Sequence, residues 1–374
     1  MLTPYSISSP DKLLSPSLIV FRDLVARNID RMIEVAGGVS RLRPHCKTHK
    51  MTEVVRLQLD RGITRQKAAT LAEAEMLARA GCRDIVLSYN LVGPNIARAV
   101  TFCRTFPDVH FAALADDSGL VNQLGTALQS AGVTMELLVD INPGRDRTGL
   151  RAGPDAERLY QQIAATPGLR PGGLHIYDGQ HNQSDLTERT AAVAREWEAI
   201  AALRDRLRTA GLTVPRLICG GTPTFPVYAH MTDPDIELSP GTCLFHDASY
   251  AEKFPDLTGF APAALVFTRV ISRPTATRLT LDCGTKSVAS DPPTGQRVVL
   301  PAIPEAVQLL HNEEHLVVEV PESVASRWSV GDWTLAIPRH ICPTSALHRE
   351  AVVIAGGEIT AVWPVIARDR MLTV

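Results

Sequence analysis

The chain has 374 residues, of which 45% are hydrophobic and 21% charged, a composition typical of folded globular domains. Its 38 basic and 40 acidic side chains leave a formal net charge of -2, which gives no general attraction to nucleic acid or to an anionic membrane. The sequence contains no run of 18 apolar residues, so we expect no membrane span.

The cysteines and the N-terminal residues indicate the compartment. The seven cysteines are odd in number, widely spaced and without a CxxC motif, which predicts reduced thiols rather than a disulfide framework. The first residues, MLTPYSISSPDK, lack the basic start and apolar run of a signal peptide. We therefore expect a cytoplasmic protein. The length predicts two domains, or one large barrel with an appendage.

Short β-branched runs alternate with helical patterns between residues 17 and 242. Repeated strand–helix units predict a parallel sheet, and eight such units that close on themselves form a barrel. The nine predicted strands are SLIVF (17–21), RLRPHCK (41–47), KAAT (67–70), DIVLSY (84–89), HFAALA (110–115), MELLVDI (135–141), GGLHIY (172–177), RLICGG (216–221) and IELSPGT (236–242). Because a barrel needs only eight strands, the SLIVF strand could instead belong to another domain.

After about residue 255 the pattern changes to strands without intervening helices, which predicts an all-β domain. The predicted strands are AALVFTRVISRP, RLTLDCG, HLVVEVP, WTLAIP, AVVIAG and ITAVWPVIARD.

Glycine and threonine follow the last two predicted barrel strands, where barrels often bind a phosphate through backbone N–H groups and small hydroxyls. The residues are Gly220, Gly221 and Thr222 after the seventh strand, and Gly241 and Thr242 after the eighth. Two ordinary tight turns are the alternative interpretation.

Lys47 ends the first predicted barrel strand, in PHCKTHK. Desolvation at a barrel mouth would favour the neutral amine that a Schiff base needs, and a basic surface loop is the alternative. Only six of the basic residues are lysines, so few candidates exist for such chemistry. A phosphate site and a Schiff-base lysine in one mouth together suggest pyridoxal phosphate.

Two histidine-containing segments could also carry chemistry. His340 and Cys342, in PRHICPT, would share a face of a strand and could bind a metal, whereas a core or loop position is the alternative. His175 and His181 flank Tyr177 in GLHIYDGQH. Either histidine could be a general base, and Tyr177 could contact a cofactor ring, although each could equally be structural.

Seven segments now resemble one family. RLRPHCKTHK, ATLAEAEMLARAG, RTG at 147–149, GLHIYDG, GGTPTFP, SPGT and PRHICPT occur in the order found in the D-threonine aldolase and D-serine dehydratase-like family. This resemblance, over nearly the whole chain, implies a fold-type III pyridoxal phosphate enzyme. We therefore expect an α/β chain: a (β/α)8 TIM barrel of the alanine racemase type at 22–250 and a C-terminal β-domain at 251–374, joined by the N-terminal segment 1–21.

The resemblance also implies roles for the residues named above. Lys47 would carry pyridoxal phosphate, Arg147 would approach its phenolic oxygen, and Tyr177 would lie beside it. The phosphate would be held by Gly220, Gly221, Thr222, Gly241 and Thr242. His340 and Cys342 would bind a divalent metal (Mn, Zn or Mg). His181 is the better match to the catalytic histidine of the aldolases, and His175 is the second choice.

The metal pair separates two branches of the family. The D-threonine aldolases carry His-x-Asp, whereas the D-serine dehydratase-like enzymes carry the His-x-Cys found here, and the softer thiolate favours zinc. We expect a lyase that cleaves small D-3-hydroxy amino acids to glycine and an aldehyde. The alternative is dehydration of a D-serine or D-3-hydroxyaspartate type of substrate to a 2-oxo acid and ammonia.

Two further alternatives have less support. A racemase would need no metal, and non-catalytic pyridoxal phosphate-binding proteins are single barrels without a β-domain. As partners we expect only the small-molecule substrate and a second copy of the chain, with no nucleic acid and no membrane. The homodimer implied by the resemblance would be contradicted by a monomeric mass in light scattering.

Overall fold

A computed structural model describes residues 4–374 and divides the chain into two compact units. The sheet unit comprises the described residues up to Met32, together with Thr48–Met51 and Thr242–Arg368. The barrel unit comprises Ile33–Lys47, Thr52–Gly241 and Asp369–Val374. Within residues 4–374, the helices are all too short or too polar to span a bilayer.

The strands and helices are numbered in chain order. The strands are β1 (Ser17–Phe21), β2 (Arg65–Ala68), β3 (Asp84–Asn90), β4 (His110–Ala115), β5 (Met135–Ile141), β6 (Leu169–Ile176), β7 (Leu217–Cys219), β8 (Ile236–Leu238), β9 (Ala264–Thr275), β10 (Arg278–Leu281), β11 (Val298–Val299), β12 (Val307–His311), β13 (Leu316–Glu319), β14 (Trp333–Pro338), β15 (Glu350–Ala355) and β16 (Glu358–Pro364). The helices are α1 (Arg22–Ala36), α2 (Thr52–Leu59), α3 (Leu71–Ala80), α4 (Pro94–Thr105), α5 (Ser118–Ala131), α6 (Pro154–Ala165), α7 (Leu186–Thr209), α8 (Phe225–His230), α9 (Ala248–Lys253), α10 (Glu322–Ala325) and α11 (Ile341–Leu347).

The barrel unit is built on seven parallel strands, β2 to β8, which pair in sequence order. Helices α3 to α8 follow the first six of these strands, one after each. Polar caps start several of these helices: the Thr70 hydroxyl accepts from the Glu73 N–H, and the Asp117 carboxylate accepts from the Leu120 N–H. The predicted parallel strand–helix architecture is therefore confirmed.

A short segment, Leu42 to His45, takes the place of an eighth strand. Leu42 pairs with Leu238 of β8, and His45 pairs with Lys67 of β2, so this closing segment links the two edge strands. The prediction of a regular strand at 41–47 is wrong, because Pro44 has no N–H to donate and 3-10 turns flank the segment on both sides.

The sheet unit contains one mixed sheet in the order β12-β13-β10-β9-β1-β15-β16, with β14 pairing both β9 and β11. Strand β1, the SLIVF run, pairs antiparallel with β9 and parallel with β15. The predicted C-terminal sheet domain is confirmed. It also contains the short helices α10 and α11, which the sequence pattern did not predict, and the strands β11 and β12 were missed.

Each unit has its own apolar core. In the barrel unit, buried residues from four strands meet around Val86, Leu114, Leu138 and Ile218. In the sheet unit, a larger cluster includes Val266, Leu279 and Val318. Burial of such side chains from water supplies the main favourable free energy of folding.

Candidate active site

Lys47 lies on a single 3-10 turn, Cys46–Thr48, directly after the closing segment. The Lys47 backbone N–H donates to Nδ1 of His45 at 3.3 Å, and Nε2 of the same ring lies 3.3 Å from the Ser88 hydroxyl near the end of β3. His45 is buried, whereas Lys47 is half-buried. The imidazole therefore fixes the Lys47 backbone near the carboxyl ends of the barrel strands, where barrel enzymes place catalytic side chains.

His45, Cys46 and Glu73 form a buried cluster under this turn, with donor atoms within 4.8 Å of one another. A carboxylate oxygen of Glu73 accepts from the Cys46 thiol at 3.6 Å and from the Ala69 N–H at 2.6 Å. These residue types can ligate metals, but their polar atoms are engaged in hydrogen bonds here. We interpret the cluster as support for the Lys47 turn.

Lys67, His175 and Asp140 form a second buried group, at the carboxyl ends of β2, β6 and β5. Nδ1 of His175 lies 2.7 Å from the Asp140 carboxylate, and Nε2 lies 3.5 Å from Nζ of Lys67. Burial and then the charge of Lys67 lower the pKa of His175, against the opposite effect of Asp140. One ring nitrogen of this predicted base therefore faces a carboxylate, and the other faces an amine.

Arg147 and Tyr177 are brought together by the loops that follow β5 and β6. The Arg147 guanidinium lies over the Tyr177 ring, 4.4 Å from its centroid. Such stacking is favourable because the cation meets the negative face of the ring. The exposed arginine and the half-buried tyrosine are thus stacked on each other at the strand ends.

The Gly220-Gly221-Thr222 loop follows β7 and requires glycine at its first position. Gly220 has a φ of +72°, and a Cβ there would lie 2.6 Å from the Thr224 hydroxyl. A Cβ on Gly221 would lie 3.3 Å from the Tyr177 ring. The loop therefore packs against Thr224 and Tyr177 more closely than a larger residue at these two positions would allow.

Buried hydrogen bonds hold this loop in place. The Thr222 hydroxyl accepts from the Gly241 N–H at 3.2 Å, which ties the loop after β7 to the one after β8. The Thr224 hydroxyl donates to Asp178 at 2.8 Å and accepts from the Gly221 N–H at 3.3 Å. Burial raises the pKa of Asp178, although the bond from Thr224 opposes this.

His181, the better-matched candidate base, is buried on the segment after Tyr177. Nε2 of His181 lies 2.8 Å from the carboxylate of Glu196, which projects from α7. The backbone N–H of His181 donates to the Asp178 carbonyl at 2.9 Å. His175 and His181 therefore each have a carboxylate partner, but they belong to different hydrogen-bond groups.

The metal-ligand candidates lie in the sheet unit, at the start of α11. His340 is the N-cap of this helix and Cys342 is in its first turn. The expectation that the two share a face of a strand is wrong, because the chain turns into a helix between them. The Ile341 N–H donates to the buried Asp247 carboxylate at 3.2 Å, which anchors the turn. Burial raises the pKa of Asp247 to about 6.

Several polar side chains surround this pair. Nδ1 of His340 lies 2.5 Å from Asp291, and the Cys342 sulfur lies 3.1 Å from the Thr48 hydroxyl and 3.5 Å from that of Thr242. Burial disfavours the charged form of His340, but hydrogen bonding and charge from Cys342 and Asp291 outweigh it and raise the pKa of His340 to about 9. Thr242, assigned to the phosphate by resemblance, thus contacts Cys342.

Two family models match the chain in tandem. The alanine racemase N-terminal domain matches residues 21–249, and the putative serine dehydratase domain matches residues 263–354. A D-threonine aldolase from Arthrobacter sp. is 30% identical over 332 residues, which make up 87% of this chain and 85% of that protein. The chain belongs to the D-threonine aldolase and D-serine dehydratase-like family.

Two other members of this family extend the comparison. The crystal structure of D-threonine aldolase from Filomicrobium marinum has a TM-score of 0.89 at 30% identity and covers 97% of this chain and 98% of its own. A D-threo-3-hydroxyaspartate dehydratase from Delftia sp. is 30% identical over 239 residues, 62% of this chain and 61% of that protein. The predicted alanine racemase type of fold is confirmed, and both aldolases and dehydratases are relatives.

The barrel residues fit the cofactor that the resemblance implies. Pyridoxal phosphate presents an aldehyde, an aromatic ring and a phosphate. Lys47 offers an amine, Arg147 a cation, Tyr177 an aromatic ring, and the Gly220–Thr222 loop offers a hydroxyl and residues without bulky side chains. In the sheet unit, the imidazole and thiol of the His–Cys pair are a donor set suited to zinc.

Several supporting residues were not singled out by the sequence argument. They are Lys67, Glu73, Asp140, Asp178, Glu196, Asp247 and Asp291. Asp178 directly follows Tyr177, and Asp140 is the penultimate residue of a predicted strand, so position offered a signal for these two. Glu196 lies within a long helix and Asp291 within a polar loop. Carboxylates are common at such positions, so nothing in the sequence selects these two.

Proposed function

We propose that this protein is a pyridoxal phosphate- and divalent metal-dependent lyase that cleaves D-3-hydroxy amino acids to glycine and an aldehyde. The observation that carries the proposal is that one chain combines a strand-end lysine on a hydrogen-bonded turn with a hydrogen-bonded His–Cys pair. The whole-length similarity to D-threonine aldolases supports it.

The barrel residues would bind and orient the cofactor and substrate. When bound, pyridoxal phosphate supplies an electron sink for bond cleavage at the α-carbon. Lys47 would hold the cofactor through its amine, and the backbone N–H and hydroxyl of Thr222 would hold its phosphate. Arg147 and Tyr177 would lie beside the ring.

His181 is the residue that we assign to removal of the hydroxyl proton. Because Glu196 contacts Nε2, the proton would be taken up at Nδ1, and the carboxylate would stabilise the resulting charge. His175 is the weaker choice, since Asp140 and Lys67 face its two nitrogens. His340 and Cys342 would hold a metal, which when bound supplies Lewis acidity toward a hydroxyl group.

Replacing Cys342 with serine is expected to weaken binding of zinc by on the order of a hundredfold, because a soft thiolate ligand is lost. Metal content after dialysis against graded chelator, measured by mass spectrometry, checks this. Cys103→Ser is the matched control, because Cys103 is also a half-buried cysteine. It lies on α4 of the barrel unit, whereas His340 and Cys342 belong to the sheet unit. Equal metal retention by the two variants would contradict the assignment of the pair.

The test of the reaction is product analysis with D-threonine, pyridoxal phosphate and a divalent metal. Glycine with acetaldehyde supports aldol cleavage. No turnover of D-threonine or of bulkier D-3-hydroxy amino acids, despite cofactor binding, would overturn the proposal and favour a non-catalytic cofactor-binding protein.

Dehydration is the second candidate because the chain carries a thiol in its metal-ligand pair and resembles a D-threo-3-hydroxyaspartate dehydratase. In that reaction Lys47 would remove the α-proton, and the hydroxyl would leave with help from the metal-binding pair. The same assay distinguishes the two, since D-threonine would then give 2-oxobutanoate and ammonia.

A further inference from the structure

Lys67 is an unusual lysine because it is only 3% exposed and lies inside the barrel unit. An amine is costly to bury without partners. Its Nζ lies 3.5 Å from His175, which is in turn held by Asp140 at 2.7 Å. These three residues come from three strands, so the barrel itself assembles the group.

The backbone places Lys67 beside the Lys47 turn. The Lys67 N–H donates to the Pro44 carbonyl at 2.9 Å, and Lys67 pairs with His45 across the closing segment. Lys47 follows His45 by two residues. The turn that carries Lys47 and the strand that carries Lys67 are therefore held side by side at the same end of the barrel.

Several charged and titratable groups lie around Lys67. Burial and then the charge of Lys47 lower the pKa of Lys67 to about 7, while Asp140 and Cys219 act in the opposite direction and Arg43 lowers it slightly. His175 and His45 are the neighbouring imidazoles. Lys67 can therefore exchange its proton near neutral pH, and its protonation depends on the charge of Lys47.

We propose that Lys67, held by His175 and Asp140, is a positioning residue that accepts the proton displaced when the Lys47 amine bonds to an aldehyde. A protonated Lys47, an aldehyde and a neutral Lys67 would become a Lys47 imine, water and a protonated Lys67, so that one positive charge remains in the group. The inference rests on the proposed function only in the role it gives Lys47.

The first test observes the two lysines in the full-length protein without cofactor. The chain has only six lysines, so an NMR spectrum of protein labelled with carbon-13 at the lysine ε position contains few signals. Single Lys→Met variants assign each signal to its residue. We expect the Lys67 signal to titrate near neutral pH. In Lys47→Met its midpoint should rise by about one pH unit, because a like charge is removed. A Lys67 signal that titrates with the exposed lysines, or that does not respond to Lys47→Met, would overturn the inference.

The second test counts protons released when pyridoxal phosphate binds. Calorimetric titration in two buffers of different ionisation enthalpy gives this number. Wild type and the exposed-site control Lys286→Met should release the same number, whereas Lys67→Met should release about one more proton per site, because the acceptor is absent. Equal release by all three proteins would contradict the proposal.

The two tests also separate this inference from the proposed function. Borohydride reduction followed by peptide mapping identifies the lysine that carries the cofactor. If that lysine is not Lys47, the proposed function fails while the coupling seen without cofactor can still stand. If Lys67→Met does not fold, the Lys67 signal is assigned by elimination from the other variants, and its shift in Lys47→Met decides.

Discussion

Replacing Lys47 with alanine is expected to lower kcat on D-3-hydroxy amino acids by on the order of a thousandfold or more. The reason is that the buried imidazole of His45 fixes the Lys47 backbone at the strand ends, so no other amine is presented in the same geometry. Added pyridoxal phosphate should also fail to develop the visible absorbance of a lysine adduct.

The measurement combines initial rates with absorbance spectra of the cofactor-loaded protein. Lys286→Ala is the matched control, because the Lys286 side chain is 60% exposed and forms surface salt bridges with Glu313 and Glu314. A Lys47→Ala protein that keeps a rate within tenfold of wild type would show that another group holds the cofactor.

Local sequence pattern was sufficient for the regular elements of the barrel. The runs at 110–115 and 135–141 became strands with those bounds, because each is dominated by apolar residues and lies between polar turns. The run at 41–47 failed, because Pro44 and the 3-10 turns leave only two bridging pairs there. Its position in the series was nevertheless right, since the segment closes the barrel.

The supporting partners of the candidate site could not be predicted in the same way. Lys67 and His175 are 108 residues apart in the chain, and nothing local to either marks the contact. A lysine in a short strand usually lies at the surface, so pattern alone favours exposure. The His340 and Cys342 pair shows the converse: the residues were identified, but the helix that presents them depends on the Asp247 contact 94 residues away.

Replacing Glu237 with glutamine is expected to lower the free energy of unfolding by about 3 kcal/mol, since it breaks a buried ion pair and leaves the buried Arg43 with one carboxylate instead of two. Glu237, in β8, accepts from the buried Arg43 at 2.5 Å and from Arg65 at 2.6 Å. Arg43 would keep only Asp84, at 2.8 Å, as an ionic partner among those found in the structure. Denaturant unfolding at pH 7 measures the loss.

The control is an exposed pair of the same barrel unit. Asp155 and Arg158 pair at the start of α6, and the Asp155 side chain is 72% exposed. Exposed pairs contribute less than about 1 kcal/mol, so Asp155→Asn should change the unfolding free energy little. A Glu237→Gln protein as stable as the Asp155→Asn protein would show that the buried ion pairs do not stabilise the barrel.

The pH dependence of the Glu237→Gln effect follows from the direction of the pKa shift. Burial alone would raise the pKa of Glu237, but the charge of Arg43 and its hydrogen bond outweigh burial and lower it. A carboxylate with a lowered pKa stabilises the folded state above its unfolded pKa, and the contribution is lost as the pH falls through the folded value. The difference in unfolding free energy between wild type and Glu237→Gln should therefore be largest at pH 7 and decrease below about pH 4. Because Arg43, the partner of Glu237, lies in the closing segment that leads into the Lys47 turn, the same substitution also tests whether the buried ion pairs support that turn.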